Sequence, residues 1–187
     1  MNIILFGPPG AGKGTQAKYL VKKLNNFQVS TGDLLRDEIK KESEIGKKII
    51  NYMNEGKFVD DEIVNRLMFN VVSDSKKKNR LIFDGYPRTL DQAKNLDELL
   101  KKTNQKIDFI FFLNVNKETI IKRIEKRKIL EKRSDDDANT ILKRYDTYME
   151  VTKPVLEFYS KNDNFHEVDG SMEIRDISLK IEQILNV

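Results

Sequence analysis

A glycine-rich loop near the start of the chain contains the residue types that bind phosphate, Gly7-Pro8-Pro9-Gly10-Ala11-Gly12-Lys13-Gly14-Thr15. At its glycines the backbone can approach an anion and turn its N–H groups toward it. Lys13 adds a full charge for the β- and γ-phosphates, and a helix after the loop would add partial positive charge. The loop predicts a nucleoside triphosphate site. It departs from the pattern G-x-x-x-x-G-K-[ST] because Gly14 stands where the metal-binding hydroxyl is expected and Thr15 follows it.

Two arginines indicate a second anion site. Arg36 and Arg88 each follow a predicted strand-to-helix junction, and a parallel sheet would bring those junctions to one edge. Their guanidinium groups suit bidentate contacts with a monophosphate. Asp33 and Gln92 lie nearby, each as the last residue of a possible capping box, so the residue pattern leaves helix capping and ligand contact equally open for them.

Asp84 ends an apolar run and precedes Gly85. A carboxylate at a strand end can hold Mg²⁺, and this ion usually keeps several of its waters. The alternative is a carboxylate that accepts hydrogen bonds from nearby backbone N–H groups.

Four more arginines lie in the second half of the chain: Arg123, Arg127, Arg133 and Arg144. The first two are four residues apart on a predicted helix, where like charges are slightly destabilising unless an anion lies between them. The other two lie on either side of the start of the next predicted helix. Solvated surface arginines are the alternative interpretation of each of the four.

Apolar runs alternate with amphipathic stretches along the chain. The predicted strands cover residues 2–6, 27–29, 81–83, 107–113 and 165–168. A helix is predicted from residue 15, and further helices near 31–41, 44–54, 60–73, 89–102, 116–127, 136–160 and 173–185, with Pro154 kinking or breaking the longest. This alternation predicts an α/β fold with a parallel sheet covered on both faces. Residues 31–59 and 128–136 interrupt the alternation and are predicted to be additions at the strand ends.

The composition limits the classes of protein that fit. The chain has 187 residues, 39% hydrophobic and 34% charged, which predicts one globular domain. It lacks a run of roughly 20 apolar residues, so we expect no membrane span, and no export signal is expected. The absence of cysteine excludes disulfides and cysteine-ligated zinc and fits the cytoplasm. A net charge of +4 with scattered lysines indicates no nucleic-acid partner. Nothing marks an apolar interface, so a monomer is expected.

The glycine-rich loop resembles that of the adenylate kinase family of nucleoside monophosphate kinases. Further motifs carry the resemblance across the chain: S-T-G-D-L-L-R at 30–36, G-K-F-V at 56–59, F-D-G-Y-P-R at 83–88 and R-S-D-D at 133–136. The resemblance implies a P-loop three-layer sandwich around a five-stranded parallel sheet. It also implies a single kinase domain over residues 1–187, a small helical AMP-binding insertion at 30–59 and a short lid at 127–137.

The resemblance implies reversible phosphoryl transfer from Mg-ATP to AMP, giving two ADP, and a role in adenine nucleotide homeostasis. Residues implied in ATP binding are Gly10, Ala11, Gly12, Lys13, Gly14, Thr15, Arg123, Arg127 and Met172. Residues implied in AMP binding are Thr31, Arg36, Lys57, Phe58, Val59, Gly85, Tyr86, Pro87, Arg88, Gln92, Arg133 and Arg144. Catalytic roles fall to Lys13, Arg88, Arg123, Arg127, Arg133 and Arg144. Asp84 would hold Mg²⁺ through water, and no zinc is implied.

Two alternatives remain at this stage. A UMP or CMP kinase would use the same chemistry, although Thr31 and Gln92 resemble the adenylate-specific members. A nucleotide-binding switch would bind the triphosphate without transferring it. Because the attacking phosphate oxygen is already anionic, the reaction needs no general base. His166 is therefore expected to be structural or to lie at the surface.

Overall fold

Five parallel strands form a central sheet within residues 1–131 and 138–187, the parts of the chain that the computed structural model describes. The strand order is β2-β3-β1-β4-β5. The strands are β1 (Ile3–Phe6), β2 (Phe27–Ser30), β3 (Leu81–Asp84), β4 (Phe109–Asn114) and β5 (Phe165–Asp169). The predicted five-stranded parallel sheet is confirmed.

Helices connect and cover the strands. The described helices are α1 (Lys13–Leu24), α2 (Thr31–Lys40), α3 (Glu44–Asn54), α4 (Asp61–Val72), α5 (Leu90–Lys102), α6 (Lys117–Glu131), α7 (Ala138–Thr147), α8 (Lys153–Tyr159) and α9 (Ile174–Leu185). A single 3₁₀ turn, Ser75–Lys77, follows α4. The helix α6 continues beyond the predicted end near residue 127.

Side-chain caps explain where several helices begin. Ser30 accepts a hydrogen bond from the Asp33 N–H at the start of α2, and Thr89 accepts one from the Gln92 N–H at the start of α5. Ser43 caps α3 in the same way. Such bonds satisfy N–H groups that the helix itself leaves unpaired, and they are readable from a few consecutive residues.

Pro154 divides the long helix predicted at 136–160. It lies in the first turn of α8, where its missing N–H is tolerated, and a π-helical turn at Tyr148–Thr152 joins α7 to α8. The N–H of Lys153 donates to the carbonyl oxygen of Tyr148, five residues earlier. The predicted break is confirmed, and its form is a wider helical turn.

Two apolar layers lie on opposite faces of the sheet. Ile4 and Phe83 belong to one cluster with residues of α4, α5 and α8, whereas Ile3 and Ile82 belong to the other with residues of α1, α6 and α9. All four side chains are fully buried, as expected for strands covered on both faces. The predicted three-layer sandwich is confirmed.

The helices α2 and α3, predicted near 31–41 and 44–54, pack together as a hairpin between β2 and α4. Gly46 allows their close approach, since a Cβ atom at this position would lie 2.1 Å from the carbonyl oxygen of Glu38. Among the described residues, no helix combines the length and the apolar composition needed to cross a membrane.

Candidate active site

A cleft opens at the carboxyl edge of the sheet. It lies between the end of β1, the turn after β3, the α2–α3 hairpin and the segment from α7 to α8. Its lining residues are Leu5, Phe6, Gly7, Pro9, Lys13, Gly32, Leu35, Arg36, Met53, Gly56, Lys57, Phe58, Gly85, Pro87, Arg88, Arg144, Tyr148 and Thr152. The cleft therefore adjoins the glycine-rich loop and contains Arg36 and Arg88 together, as the sheet topology predicted.

The glycine-rich loop connects β1 directly to α1. Gly12 occupies the cap position in a left-handed conformation, with φ of 97°, and no described side chain caps the helix. The N–H groups of the first turn are thus left for an external acceptor. At Gly10, a Cβ atom would lie 2.8 Å from Ile124, so α6 packs directly against the loop.

Lys13 lies within the loop and close to several cations. Its ammonium group donates to the carbonyl oxygens of Gly7 at 2.7 Å and Pro8 at 3.0 Å. Burial lowers the pKa of Lys13 to about 8, the Asp84 carboxylate opposes this shift, and Arg88, Arg144 and Arg127 add to it. The structure therefore gathers three of the predicted catalytic arginines around this lysine.

Asp84 lies beside the first turn of α1. Its Oδ2 atom accepts a 2.9 Å hydrogen bond from the Gln28 side chain and would lie 3.3 Å from a Cβ atom at Gly14. The Asp84 carboxylate is thus held by a side-chain amide, whereas the alternative to a metal site in the sequence analysis was hydrogen bonding by backbone N–H groups. Among the described residues, no three acidic or histidine side chains form a metal cluster. A single carboxylate fits Mg²⁺ that is otherwise held by water and phosphate.

Arg88 is held at the cleft by its own strand turn. Its Nε donates to the Gly85 carbonyl oxygen at 2.7 Å, and its guanidinium lies 5.2 Å from the centre of the Phe58 ring. Thr31 donates its hydroxyl to the same carbonyl oxygen at 2.8 Å. Arg36 forms a 2.6 Å ion pair with Asp33. The Asp33 side chain therefore accepts from an arginine of the cleft, while its backbone N–H donates to the helix cap Ser30.

Gln92 connects α5 to α4 and does not line the cleft. Its side-chain oxygen accepts from the Arg88 N–H at 2.8 Å, and its amide nitrogen donates to Asp61 at 2.6 Å. Asp61 also accepts from the hydroxyl of Thr89, the cap of α5, at 2.6 Å. The side chain of Gln92 is thus fixed by structural bonds that hold the Arg88 backbone.

Other residues that were predicted to bind AMP are buried behind the cleft surface. Thr31, Val59 and Tyr86 have exposed fractions of 3%, 6% and 0%. The Tyr86 hydroxyl donates to the Asn65 side chain, and burial raises the pKa of Tyr86 to about 12. Contact between Tyr86 or Val59 and a ligand in this arrangement would have to use their backbone.

Arg123 joins three parts of the structure. One guanidinium nitrogen donates to the Gly170 carbonyl oxygen at 2.7 Å, and the other lies 3.4 Å from that of Met172. The first nitrogen also lies 3.5 Å from the Ala11 carbonyl oxygen in the glycine-rich loop. The structure therefore brings Arg123 and Met172 together beside the loop and outside the cleft. Arg133 and most of the predicted lid, residues 132–137, lie outside the described residues.

Comparisons with known proteins agree with this geometry. A sequence model of the adenylate kinase family matches residues 5–164. The adenylate kinase of Pelagibacter ubique is 50% identical over 213 aligned positions, which cover 100% of this chain and 100% of the relative. The chain belongs to the adenylate kinase family. That of Mycoplasma mycoides is 41% identical, with 100% of this chain and 96% of the relative covered, and that of a Nocardioides species is 37% identical over 187 positions, with 100% and 98% covered.

Membership of the adenylate kinase family confirms the resemblance predicted from the motifs, and with it the prediction of a phosphotransferase. His166 has aromatic surroundings in this fold, because its ring centre lies 5.7 Å from that of Phe111 and 6.0 Å from that of Phe109. Its place on the outer strand β5 agrees with the expected structural or surface position.

Sequence reasoning missed several residues at the site of this adenylate kinase family member. Gln28 and Asp61 hold Asp84 and Gln92, but their partners are 56 and 31 residues away in the chain. Tyr148 and Thr152 line the cleft although nothing marked them in the predicted helix. The one available signal is that Arg144, Tyr148 and Thr152 follow each other at intervals of four residues, since such residues share a helix face.

Proposed function

We propose that this chain transfers a phosphoryl group reversibly from Mg-ATP to AMP, giving two ADP, and so helps to balance the adenine nucleotides. The observation that carries this proposal is the presence of two anion-binding arrangements at one sheet edge, the glycine-rich loop and the arginines of the cleft, with Lys13 between them. A protein that binds one nucleotide would not need the second arrangement.

The donor site is formed by the glycine-rich loop and α6. Backbone N–H groups at the start of α1 would bind the phosphates of ATP, with Lys13 between the loop and the cleft. The guanidinium of Arg123 lies against the turn that contains Met172, and the loop lies beside it. This placement supports a role for that turn beside the adenine of ATP. Arg127, four residues after Arg123, adds positive charge near Lys13.

The acceptor site is the cleft itself. Arg36, Arg88 and Arg144 line it and supply guanidinium groups for the phosphate of AMP. Lys57, Phe58, Gly85 and Pro87 form further parts of its surface. Thr31 and Gln92 support this surface through their bonds to Gly85 and Arg88.

The chemistry requires alignment and charge neutralisation. The attacking phosphate oxygen is anionic near neutral pH, so no side chain needs to remove a proton from it. Lys13 and the arginines would compensate the negative charge on the transferring group. Asp84, held by Gln28, would hold Mg²⁺ through water, and the ion would supply positive charge to the phosphates of ATP.

The lid and the molecular context are also part of the proposal. We infer a short lid at residues 127–137 and an AMP-binding insertion at 30–59. The alignment with the Pelagibacter ubique relative spans 213 positions, against 187 residues in this chain, whereas that with the Nocardioides relative spans 187. We place this difference in the lid. A cytoplasmic monomer without nucleic-acid or membrane partners completes the proposal.

An acceptor panel tests the function. ADP formation from Mg-ATP would be measured with AMP, UMP, CMP and GMP offered separately. We expect turnover with AMP to exceed that with the other acceptors. Turnover only with a pyrimidine nucleotide would overturn the AMP assignment, and nucleotide binding without any ADP would overturn phosphoryl transfer.

Arg88→Ala tests the cleft as the acceptor site. Loss of this guanidinium should lower turnover by about two to three orders of magnitude, the range for removing one charged group that stabilises a transition state. The melting temperature should change little. Arg175→Ala, at an exposed position of α9, is the matched control and should keep normal turnover. A folded Arg88→Ala protein with near-normal turnover would contradict the assignment.

A further inference from the structure

We propose that the hydroxyl groups of Tyr148 and Thr152 bind the acceptor nucleoside monophosphate by hydrogen bonds. The inference rests on the proposed function, because it takes the ligand of the cleft to be that nucleotide. It adds two uncharged binding groups to the cationic residues already described.

Tyr148 and Thr152 both line the cleft, and Tyr148 also borders a second pocket beside Phe112 and Met149. Arg144, Tyr148 and Thr152 follow each other at intervals of four residues, and all three line the cleft. Tyr148 begins the π-helical turn and Thr152 ends it. The three side chains therefore form one row along the segment, with the Arg144 guanidinium first and the two hydroxyl-bearing residues after it.

Neither hydroxyl has a hydrogen-bond partner within the described parts of the chain. Tyr148 is 7% exposed and Thr152 is 3% exposed. Buried hydroxyls in proteins are nearly always paired, and others in this structure are: Thr31 donates to Gly85, and Tyr159 donates to Asp97. Two unpaired hydroxyls on residues that line the same cleft point to a partner that arrives with the ligand.

Thr152 does not use the local hydrogen-bond partner that is usual for a threonine in a helix. A threonine inside a helix commonly donates to the carbonyl oxygen four residues earlier, which here belongs to Tyr148. That oxygen accepts the N–H of Lys153 across the wider turn. The turn itself follows from Pro154, which cannot donate a backbone hydrogen bond. Such turns are frequent at functional sites.

The surrounding charges favour an oxygen-rich ligand. The cleft also contains Lys13, Arg36, Arg88 and Arg144, all of which are cationic donors. A nucleoside monophosphate offers phosphate and sugar oxygens that can accept from the hydroxyls while the cations neutralise its charge. Its entry would displace the atoms that cover the hydroxyls in the structure.

Tyr148→Phe and Thr152→Val test the proposal because each removes a hydroxyl and keeps the side-chain shape. Without ligand, each variant should melt at the same temperature as the parent protein or higher, since an unpaired polar group is lost. The Kd for AMP, measured by titration calorimetry, should rise between about twofold and tenfold, as expected for one hydrogen bond. Thr152→Ser, which keeps the hydroxyl, should retain more of the AMP affinity than Thr152→Val.

Tyr159→Phe is the matched control. Its hydroxyl is buried but donates to Asp97 and does not line the cleft, so this variant should melt at a lower temperature and bind AMP normally. Unchanged AMP affinity in both Tyr148→Phe and Thr152→Val would overturn the inference. Failure of the proposed function is a separate result, because the parent protein would then bind AMP without forming ADP from Mg-ATP.

Discussion

At the residue scale, the site depends on positive charges that are held close together without a ligand. Burial and the neighbouring Arg88, Arg144 and Arg127 disfavour the charged form of Lys13, and Asp84 only partly opposes them. A bound polyphosphate would reverse this balance, because its negative charge favours the ammonium form. The pKa of Lys13 should therefore rise when a nucleotide binds.

ATP binding should take up a proton above pH 8. In the free protein the pKa of Lys13 is lowered to about 8, so much of the lysine is neutral at pH 8.5, and it must be protonated in the complex. The affinity for ATP should fall as the pH rises from 8 to 9, by up to about tenfold. Calorimetry in two buffers of different ionisation enthalpy measures the uptake.

Lys13→Arg provides the control for this prediction, since a guanidinium stays protonated and the uptake should disappear. The lowered pKa of Lys13 also fixes the direction in which folding stability changes with pH. Because the folded pKa is lower than the unfolded value of 10.5, the unfolded state binds more protons between about pH 8 and 10.5. The contribution of Lys13 to folding should become more favourable across this window. Equal ATP affinity at pH 8 and 9 would contradict the assigned role of Lys13.

At the element scale, the α2–α3 hairpin and the π-helical turn bring residues to the cleft. The hairpin places Arg36 and Met53 on one side, and the turn places Tyr148 and Thr152 on another. Each element has a local cause: Gly46 permits helix contact, and Pro154 interrupts a helix. A substitution at Gly46 or Pro154 should therefore affect the element that contains it more than the rest of the fold.

Gly46→Ala should damage the hairpin. Its added methyl group would lie 2.1 Å from the Glu38 carbonyl oxygen, which is backbone and cannot move without shifting a helix. We expect a loss of about 1–3 kcal/mol in the free energy of unfolding, as for overpacking, and a higher KM for AMP. Lys48→Ala, at an exposed position on α3, should change neither quantity. Denaturant unfolding and acceptor kinetics measure both, and wild-type values for Gly46→Ala would disprove the close contact.

At the scale of the whole molecule, two sides of the cleft come into contact where α7 packs against the segment after α3. The Thr140 hydroxyl of α7 lies 3.5 Å from the carbonyl oxygen of Asn54. Gly56 lies against the same helix, with φ of 70°, and a Cβ atom there would lie 3.0 Å from side-chain carbons of Arg144 and Thr140. The distance between two sides of the acceptor cleft thus depends on a residue without a side chain.

Gly56→Ala should move Arg144 away from Lys57 and Phe58. We expect a several-fold higher KM for AMP with little change in the KM for ATP, because the glycine-rich loop is untouched. Left-handed backbone also costs alanine about 1 kcal/mol of stability. Asn104→Ala, at an exposed left-handed position between α5 and β4, should show a stability loss of this kind with normal AMP kinetics. Equal effects on both KM values would contradict the proposed geometry.

Much of this protein was determined by short stretches of its sequence. The strands, the capped helix starts, the break at Pro154 and the glycine-rich loop were all predictable, because apolar periodicity, capping and proline geometry act over a few residues. The convergence of Arg36 and Arg88 was also predictable, since parallel strands bring their carboxyl ends to one edge.

Only the tertiary structure decided the roles that depend on distant partners. The sequence pattern around Gln92 fits capping and ligand contact equally well, and only the fold brings its side-chain amide 2.6 Å from Asp61, which is 31 residues away in the chain. The lowered pKa of Lys13 likewise requires burial and charges from three separate elements. The unpaired hydroxyls of Tyr148 and Thr152 are evident only when every neighbouring donor and acceptor is placed. Hydrogen bonding and desolvation depend on spatial proximity, which a local pattern does not contain.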